Sequence, residues 1–360
     1  MPDRIYNFSP GPATLPQEVL AQAAKDIVNF NDKGIGLIEL SHRSKEFMAV
    51  ADETEALLRD LMAIPDNYKV LFLQGGASTQ FAMVPMNLMR PDQKATYLNT
   101  GTWAKKAIKE ANLIAEADVA YSSEESSFNH VPKNGDYSVD PGAEYLYFVS
   151  NNTIYGTQFS EFPKSDKMLV CDMSSDILSR KFDLAPFGLV FAGAQKNMGP
   201  AGVTTVIVRD DLLDRAPDSL PTMLRYKTHA DKGSMFNTPP CFAIYAVGLV
   251  CKWLKAAGGV QAMEQKNKEK AAVLYDMIDS TDFYKGHAQV DSRSLMNITF
   301  NLPTPELEAE FIDQAGKLGL DGLKGHRSIG GCRASIYNAF PKQGVLDLVD
   351  FMKKFETKNS

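Results

Sequence analysis

Long apolar runs are missing from this 360-residue chain. The longest, Cys241 to Cys251, falls far short of the ~20 residues that span a bilayer. The opening MPDRIYNFSPGP lacks the apolar core of a signal peptide. Cysteine is scarce: Cys171, Cys241, Cys251 and Cys332 are scattered, with no C-x-x-C pair. That excludes a disulfide scaffold and reads as thiols in a reducing compartment, two of them inside apolar runs; no metal site is expected. A basic excess is also missing. Lys and Arg number 38 against 44 Asp and Glu, a formal charge of −6, so there is no broad footprint for nucleic acid. A local cationic pocket for an acidic small molecule remains open. Internal repeats, low-complexity tracts, a P-loop and G-x-G-x-x-G are absent too. The expectation is a soluble, cytoplasmic protein with no membrane or nucleic-acid partner.

What is present is ordinary globular composition, 44% hydrophobic and 23% charged. The length exceeds what one core usually serves, so a large domain with a smaller one is expected. Residues 46–63 read as an amphipathic helix stopped by Pro65. Strands are predicted at 68–73, 97–98, 145–150, 167–171, 188–192 and 203–208. A helix is predicted from Thr79, another over 104–112, and a loop over 121–142. Strands apolar on both faces, alternating with helices, predict an α/β fold with a mostly parallel sheet. The short Gly/Pro-rich link at 193–202 would let the last strand return antiparallel. After a helix at 241–257 the order changes to helix 260–279, strand 295–301, helix 305–318, strand 332–338 and helix 343–355. This predicts an extended arm over 1–15, a large domain over 16–258 and a smaller α+β domain over 259–360.

Five successive strands end in chemically useful groups: Gly75-Gly76-Ala77-Ser78, Thr100-Gly101-Thr102-Trp103, Asn152-Thr153, Asp172, and Gln195-Lys196. In an open parallel sheet the ligand crevice lies at the carboxyl ends of the strands, so these groups should converge. Gly75 to Ser78, at a strand-to-helix junction, offers free N–H groups to a phosphate, with hydroxyls from Ser78 and Thr79. Taken alone it reads equally as a turn. Trp103 reads as core packing or as a face for a flat ring. Asp172 ends a strand too apolar for an unpaired carboxylate; it caps a turn or pairs with a ring N–H⁺. Thr153 lies one strand over. Lys196 stands at the mouth of a buried strand, where a lysine can have a lowered pKa and act as a nucleophile. Phosphate cradle, stacking ring, pyridinium partner and imine-forming lysine together fit pyridoxal phosphate.

At this point the sequence resembles a known family. NFSPGPATLP near the start, SHRSKEF (41–47), LQGGASTQF (73–81), NTGTWAKKA (99–107), NNTIYGTQF (151–159), CDMSSDILSR (171–180), GAQKNMGPAG (193–202), FNTPPCFAIY (236–245) and GHRSIGGCRASIYNA (325–339) are similar to the phosphoserine aminotransferases. These are class V aminotransferases of the fold type I group. The cradle reads Ala77-Ser78 where some relatives carry Arg at the second place. The resemblance implies a seven-stranded sheet in the large domain. It implies Lys196 as the residue that carries the cofactor and Asp172 against the pyridine nitrogen. Trp103 would stack on the ring, Thr153 would lie at the ring edge, and Ala77, Ser78 and Gln195 would hold the phosphate. It further implies a homodimer with shared sites, in which Asn237 and Thr238 reach the neighbour's cofactor phosphate and Arg43 reaches substrate across the interface. The implied reaction is ping-pong transamination between O-phospho-L-serine and 2-oxoglutarate, giving 3-phosphooxypyruvate and L-glutamate in serine biosynthesis. The family would also allow 4-phosphooxy-L-threonine, in pyridoxine biosynthesis.

Charge leads to the same substrate class. Two His-Arg pairs among only five histidines, His42-Arg43 and His326-Arg327, join Arg333 as candidate anion sites. Each could instead serve solubility or pair with an acid. Arg forks match carboxylate and phosphate. The expectation puts Arg333 on the α-carboxylate and His42, Arg43, His326 and Arg327 on the distal anion, with His protonation adjusting the pocket between a phosphate and a carboxylate. The competing readings are a desulfurase or lyase on the same scaffold and a non-catalytic binder. A desulfurase needs a reactive Cys on a mobile loop, whereas Cys332, beside Gly330-Gly331, starts a predicted strand and reads as packing; a binder would have no use for Lys196.

Overall fold

In the computed structural model, which describes residues 4–360, the run YKVLFL forms strand β1 (Tyr68–Leu73) and is buried on both faces. Val70 and Phe72 enter one core while Leu71 and Leu73 enter another. A side-chain period of two imposes that alternation. The other strands are β2 (Lys94–Asn99), β3 (Glu116–Ser122), β4 (Ala143–Val149), β5 (Leu169–Asp172), β6 (Phe187–Gly193) and β7 (Thr204–Arg209). They make a seven-stranded sheet in the order β1-β7-β6-β5-β4-β2-β3. Only β7 runs antiparallel, to both β6 and β1. Helices α1 (Gln17–Val28), α2 (Lys45–Met62) and α5 (Cys241–Ala256) send buried side chains into the core on one face. Helices α3 (Gly76–Leu88) and α4 (Thr102–Ala111) do so on the other.

Three sequence expectations need correction. Glu116–Ser122 is a strand, where only a loop from 121 onward was predicted. As the sheet's edge strand it carries Glu116 and Asp118 and is mostly half-exposed, so it lacks the apolar signal of its neighbours. Helix α3 starts at Gly76 and not at Thr79, because Gly75 at φ +92° turns the chain immediately after the strand. Strand 332–338 stops at Ser335. Beyond it the carbonyls of Ile336, Tyr337, Asn338 and Phe340 turn to the amine of Lys270, at 2.7–3.5 Å.

A second core gathers around α6 (Gly259–Asp279), α7 (Pro305–Lys317) and α8 (Lys342–Asn359). They pack with an antiparallel sheet formed by Lys285–Gly286, β8 (Asn297–Asn301) and β9 (Cys332–Ser335). The N-terminal stretch is extended. Tyr6–Asn7 pairs in parallel with Leu320–Asp321, and Phe8 enters the second core. The same stretch then crosses to the large sheet, where the Ala13 N–H donates to the Gln195 carbonyl at 2.9 Å.

Candidate active site

A cavity of about 510 Å³ opens where five strands of the large sheet end. That volume suits a small-molecule site. Gly76, Ala77 and Ser78 follow β1; Thr102, Trp103 and Lys106 follow β2; Asn151 and Thr153 follow β4. Asp172, Ser174 and Ser175 come from the end of β5, and Gly193, Gln195 and Lys196 from the end of β6. His326, Arg327, Ser328 and Arg333 close it from the second core's side, and Pro10 and Gly11 from the N-terminal stretch. All five strand ends singled out from sequence therefore deliver at least one residue.

One end of the cavity is built for an anion. No side chain caps α3, so the N–H groups of its first turn have no acceptor inside the helix. A Cβ at Gly193 would stand 3.9 Å from the Ala77 nitrogen, so the glycine keeps clear the space in front of that turn. Thr79 does not take part as expected. It is not among the lining residues, and its hydroxyl donates to the Gly75 carbonyl at 3.0 Å. Ser174 joins the two strand ends: its hydroxyl accepts from the Gly193 N–H at 3.0 Å, and its own N–H donates to Asp172 Oδ1 at 2.9 Å.

Asp172 is buried, and burial pushes its carboxyl above the usual range, against the pull of Ser174 and of the Lys196 charge. Burial likewise pushes the Lys196 amine below its ordinary value. Asp172 opposes this and Arg333 reinforces it. Both shifts come mainly from desolvation, which disfavours the charged form of either group. Lys196 Nζ lies 5.8 Å from the centroid of the Trp103 ring. The indole N–H donates to the Thr153 hydroxyl at 3.3 Å, which fixes the ring's orientation. Arg333 is 6% exposed and donates through Nη1 to the Thr153 carbonyl at 3.1 Å, while its Nε is buried without a partner. A buried guanidinium with a free N–H is a prepared site for a carboxylate.

These features fit pyridoxal phosphate. An uncapped helix turn suits the phosphate, an oriented indole suits the flat ring, a buried carboxylate suits the ring nitrogen, and an amine of lowered pKa suits the aldehyde.

Four predicted residues do not line this cavity. Arg43 is exposed, and His42 has a buried Nε2 with no partner, in the loop that ends at Ser44, the N-cap of α2. Asn237 donates to Gln74 Oε1 at 3.3 Å, and Gln74 donates to the Thr238 carbonyl at 3.1 Å, just outside the cradle. One chain alone does not bring these residues to the cavity. His326 does line it, but its Nδ1 accepts the Ser328 N–H at 3.2 Å, so that nitrogen carries no proton in this arrangement. Burial pushes the imidazole further toward neutral, followed by the charges of Arg333, Arg327 and Lys106. The expected ease of His protonation is thus opposed by the surroundings.

The sequence reading missed Asn151, Ser174, Ser175 and Lys106. Ser174 and Ser175 lie two and three residues after Asp172, and Lys106 follows Trp103 by one helical turn, so nearness in sequence was an available signal for three of them. For Asn151 no pattern distinguished it from Asn152.

The aminotransferase class-V family matches residues 5–348. A phosphoserine aminotransferase of Desulfotalea psychrophila is 69% identical over 359 residues, covering 100% of this chain and 99% of that protein. The solved phosphoserine aminotransferase of Bacillus circulans subsp. alkalophilus superposes with a TM-score of 0.97 at 52% identity, covering 99% of both chains. A pyridoxal-phosphate-bound phosphoserine aminotransferase of Trichomonas vaginalis superposes with a TM-score of 0.93 at 38% identity, covering 97% of this chain and 100% of that one.

Proposed function

This chain belongs to the class-V aminotransferases, and from that membership we propose how its cavity works. The protein is a pyridoxal-phosphate-dependent enzyme of fold type I. It exchanges an amino group between O-phospho-L-serine and 2-oxoglutarate, giving 3-phosphooxypyruvate and L-glutamate. The observation that carries this reading is the meeting of Lys196, Asp172, Trp103 and the uncapped first turn of α3 in one cavity.

When bound, the cofactor supplies an aldehyde that condenses with amines and a ring that withdraws electrons. The first turn of α3, with Ala77, Ser78 and Gln195, would hold its phosphate, and Trp103 would lie against its ring. Asp172, kept in place by the Ser174 N–H, would hold a proton on the ring nitrogen. Thr153 would stand at the ring edge. Lys196 would join the aldehyde and, once displaced, use its uncharged amine to take the proton from the substrate's Cα and deliver it to the former aldehyde carbon. The lowered pKa favours that role, because a base is most effective when its pKa lies near the working pH. Arg333 would hold the α-carboxylate and so present the Cα–H bond to Lys196. His326 and Arg327 would face the distal anion.

Homodimer formation completes this reading. A second copy would bring Arg43 and His42 to the distal anion and Asn237 and Thr238 to the cofactor phosphate. 4-Phosphooxy-L-threonine, one methyl larger, is a candidate second donor, and a cytoplasmic location suits the four free cysteines. The desulfurase reading is disfavoured. Cys332 is 1% exposed, outside the cavity, and burial pushes its thiol upward, so it is a packing residue and not a nucleophile.

The deciding experiment is a coupled assay of the holoenzyme with phosphoserine and 2-oxoglutarate, read as glutamate formed against a blank without phosphoserine. Borohydride treatment and peptide mapping of the same sample should leave a pyridoxyl group on Lys196. A tag elsewhere, or no glutamate above the blank, overturns the reading.

A further inference from the structure

Four cationic side chains, Lys106, Lys196, Arg327 and Arg333, share the cavity with a single carboxylate, Asp172. Lys196 and Arg333 are already engaged, one opposite Asp172 and the other on the Thr153 carbonyl. Lys106 is different. It follows Trp103 by three residues on α4, so the two share a helix face. Its Nζ lies 4.6 Å from the centroid of the Trp103 ring. The neighbouring Lys105 is paired with Glu124 at 2.5 Å, whereas Lys106 forms no ion pair among the described residues. The indole thus positions a cation at the cavity without neutralising it. The same charge reaches His326 on the facing wall.

We propose that Lys106 is a specificity-determining residue whose ammonium, held over the Trp103 indole, meets the phosphate of the phosphorylated amino acid and favours it over the carboxylate arm of glutamate. This rests on the transamination reading above. A pocket that must accept both a dianion and a monoanion needs a charge that rewards the dianion more. His326 is poorly placed to supply it, because its Nδ1 is occupied by the Ser328 N–H. A lysine stem is long and flexible, so its ammonium can follow the larger phosphate or retreat to solvent when a carboxylate is bound.

The test compares holoenzyme carrying Lys106→Met, Lys106→Arg or no change. The Met variant keeps the apolar stem on the indole and removes only the charge. Half-reactions with phosphoserine and with glutamate each give kcat/KM, and calorimetry gives the affinity of the holoenzyme for inorganic phosphate. For Lys106→Met, kcat/KM for phosphoserine should fall about tenfold, the low end of what a hydrogen bond to a charged group contributes. The value for glutamate should move less than about threefold, since a monoanion gains half as much from the same cation. Phosphate affinity should fall with the phosphoserine value, and Lys106→Arg should restore the preference. An unchanged ratio of the two kcat/KM values overturns the proposal, whatever the absolute loss. If unmodified enzyme exchanges no amino group with phosphoserine, the transamination reading fails; calorimetry still decides Lys106, with equal phosphate affinity in the Met variant counting against it.

Discussion

Lys196 and Asp172 are pushed toward neutrality by the same burial, one from above and one from below. Asp172 is the main charge that favours a protonated Lys196, while the Asp172 carboxylate is favoured first by its hydrogen bond with Ser174 and then by the Lys196 charge. Asp172→Asn keeps an oxygen for the Ser174 N–H but removes the charge. We expect kcat to drop at least about a hundredfold, the scale of a lost proton-handling group; steady-state assays at saturating cofactor check this. His326→Asn tests the other titrating group. Its imidazole pKa is lowered from the ordinary value, so the protonated form is populated on the acid side of neutrality and lost above it. The penalty on phosphoserine relative to glutamate should therefore be larger at pH 6 than at pH 8. Equal penalties at both values would remove any charge role for His326.

At the scale of single elements, the site depends on how abruptly β1 becomes α3. Gly75 sits at φ +92°, and a Cβ there would lie 2.0 Å from the Thr79 hydroxyl oxygen. Gly75→Ala must displace Thr79 or unwind the first turn. Left-handed backbone costs a non-glycine residue about 1–2 kcal/mol. Cofactor affinity, followed by the visible absorbance of the holoenzyme on dilution, should weaken by about tenfold, while the sheet is retained. Much at this scale was legible from sequence. The apolar runs of β1, β4, β5 and β6 are strong signals because both of their faces are buried. Strand β3 was illegible because an edge strand need not be apolar. The true start of α3 was hidden because Gly-Gly reads as a turn whether or not a helix begins inside it.

At the scale of the whole molecule, two cores must be held in register for Arg333, on β9, to face Lys196, after β6. Lys270 contributes to this from a position no pattern disclosed, since a lysine on a helix normally reads as solvated. It is 3% exposed and donates to the chain that follows β9. There, the Asn338 N–H donates to Asn197 Oδ1 at 3.0 Å, one residue from Lys196. Lys270→Met would strand those carbonyls and should cost about 3 kcal/mol, measured by urea unfolding. Burial pushes the Lys270 amine from its ordinary 10.5 down to about 7. Between those values the unfolded chain binds the proton and the folded chain does not, so this group's contribution to stability rises with pH across the window. Below it the full cost of burying the charge remains. The stability difference between wild type and Lys270→Met should therefore widen as pH rises from 7 toward 10. Dimer formation is tested at this scale too. If Arg43 acts across an interface, mixing inactive Lys196→Ala and Arg43→Ala chains should restore about a quarter of the activity, because half the dimers would be mixed, each with one intact site. No recovery after verified subunit exchange would place Arg43 outside the partner's site.

By itself the sequence determined the class of fold and the chemistry at each strand end. Those depend on local apolar runs and on residues a few positions away, and both are written along the chain. The tertiary structure alone decided which charges share one cavity. Lys106, His326 and Arg333 meet there from a helix, a loop and a strand of two different cores, whereas His42 and Arg43, just as promising as a motif, stay outside it. Burial, the force that shifts Lys196 and Asp172, is a property of everything packed around a group, and no neighbouring residue in sequence can report it.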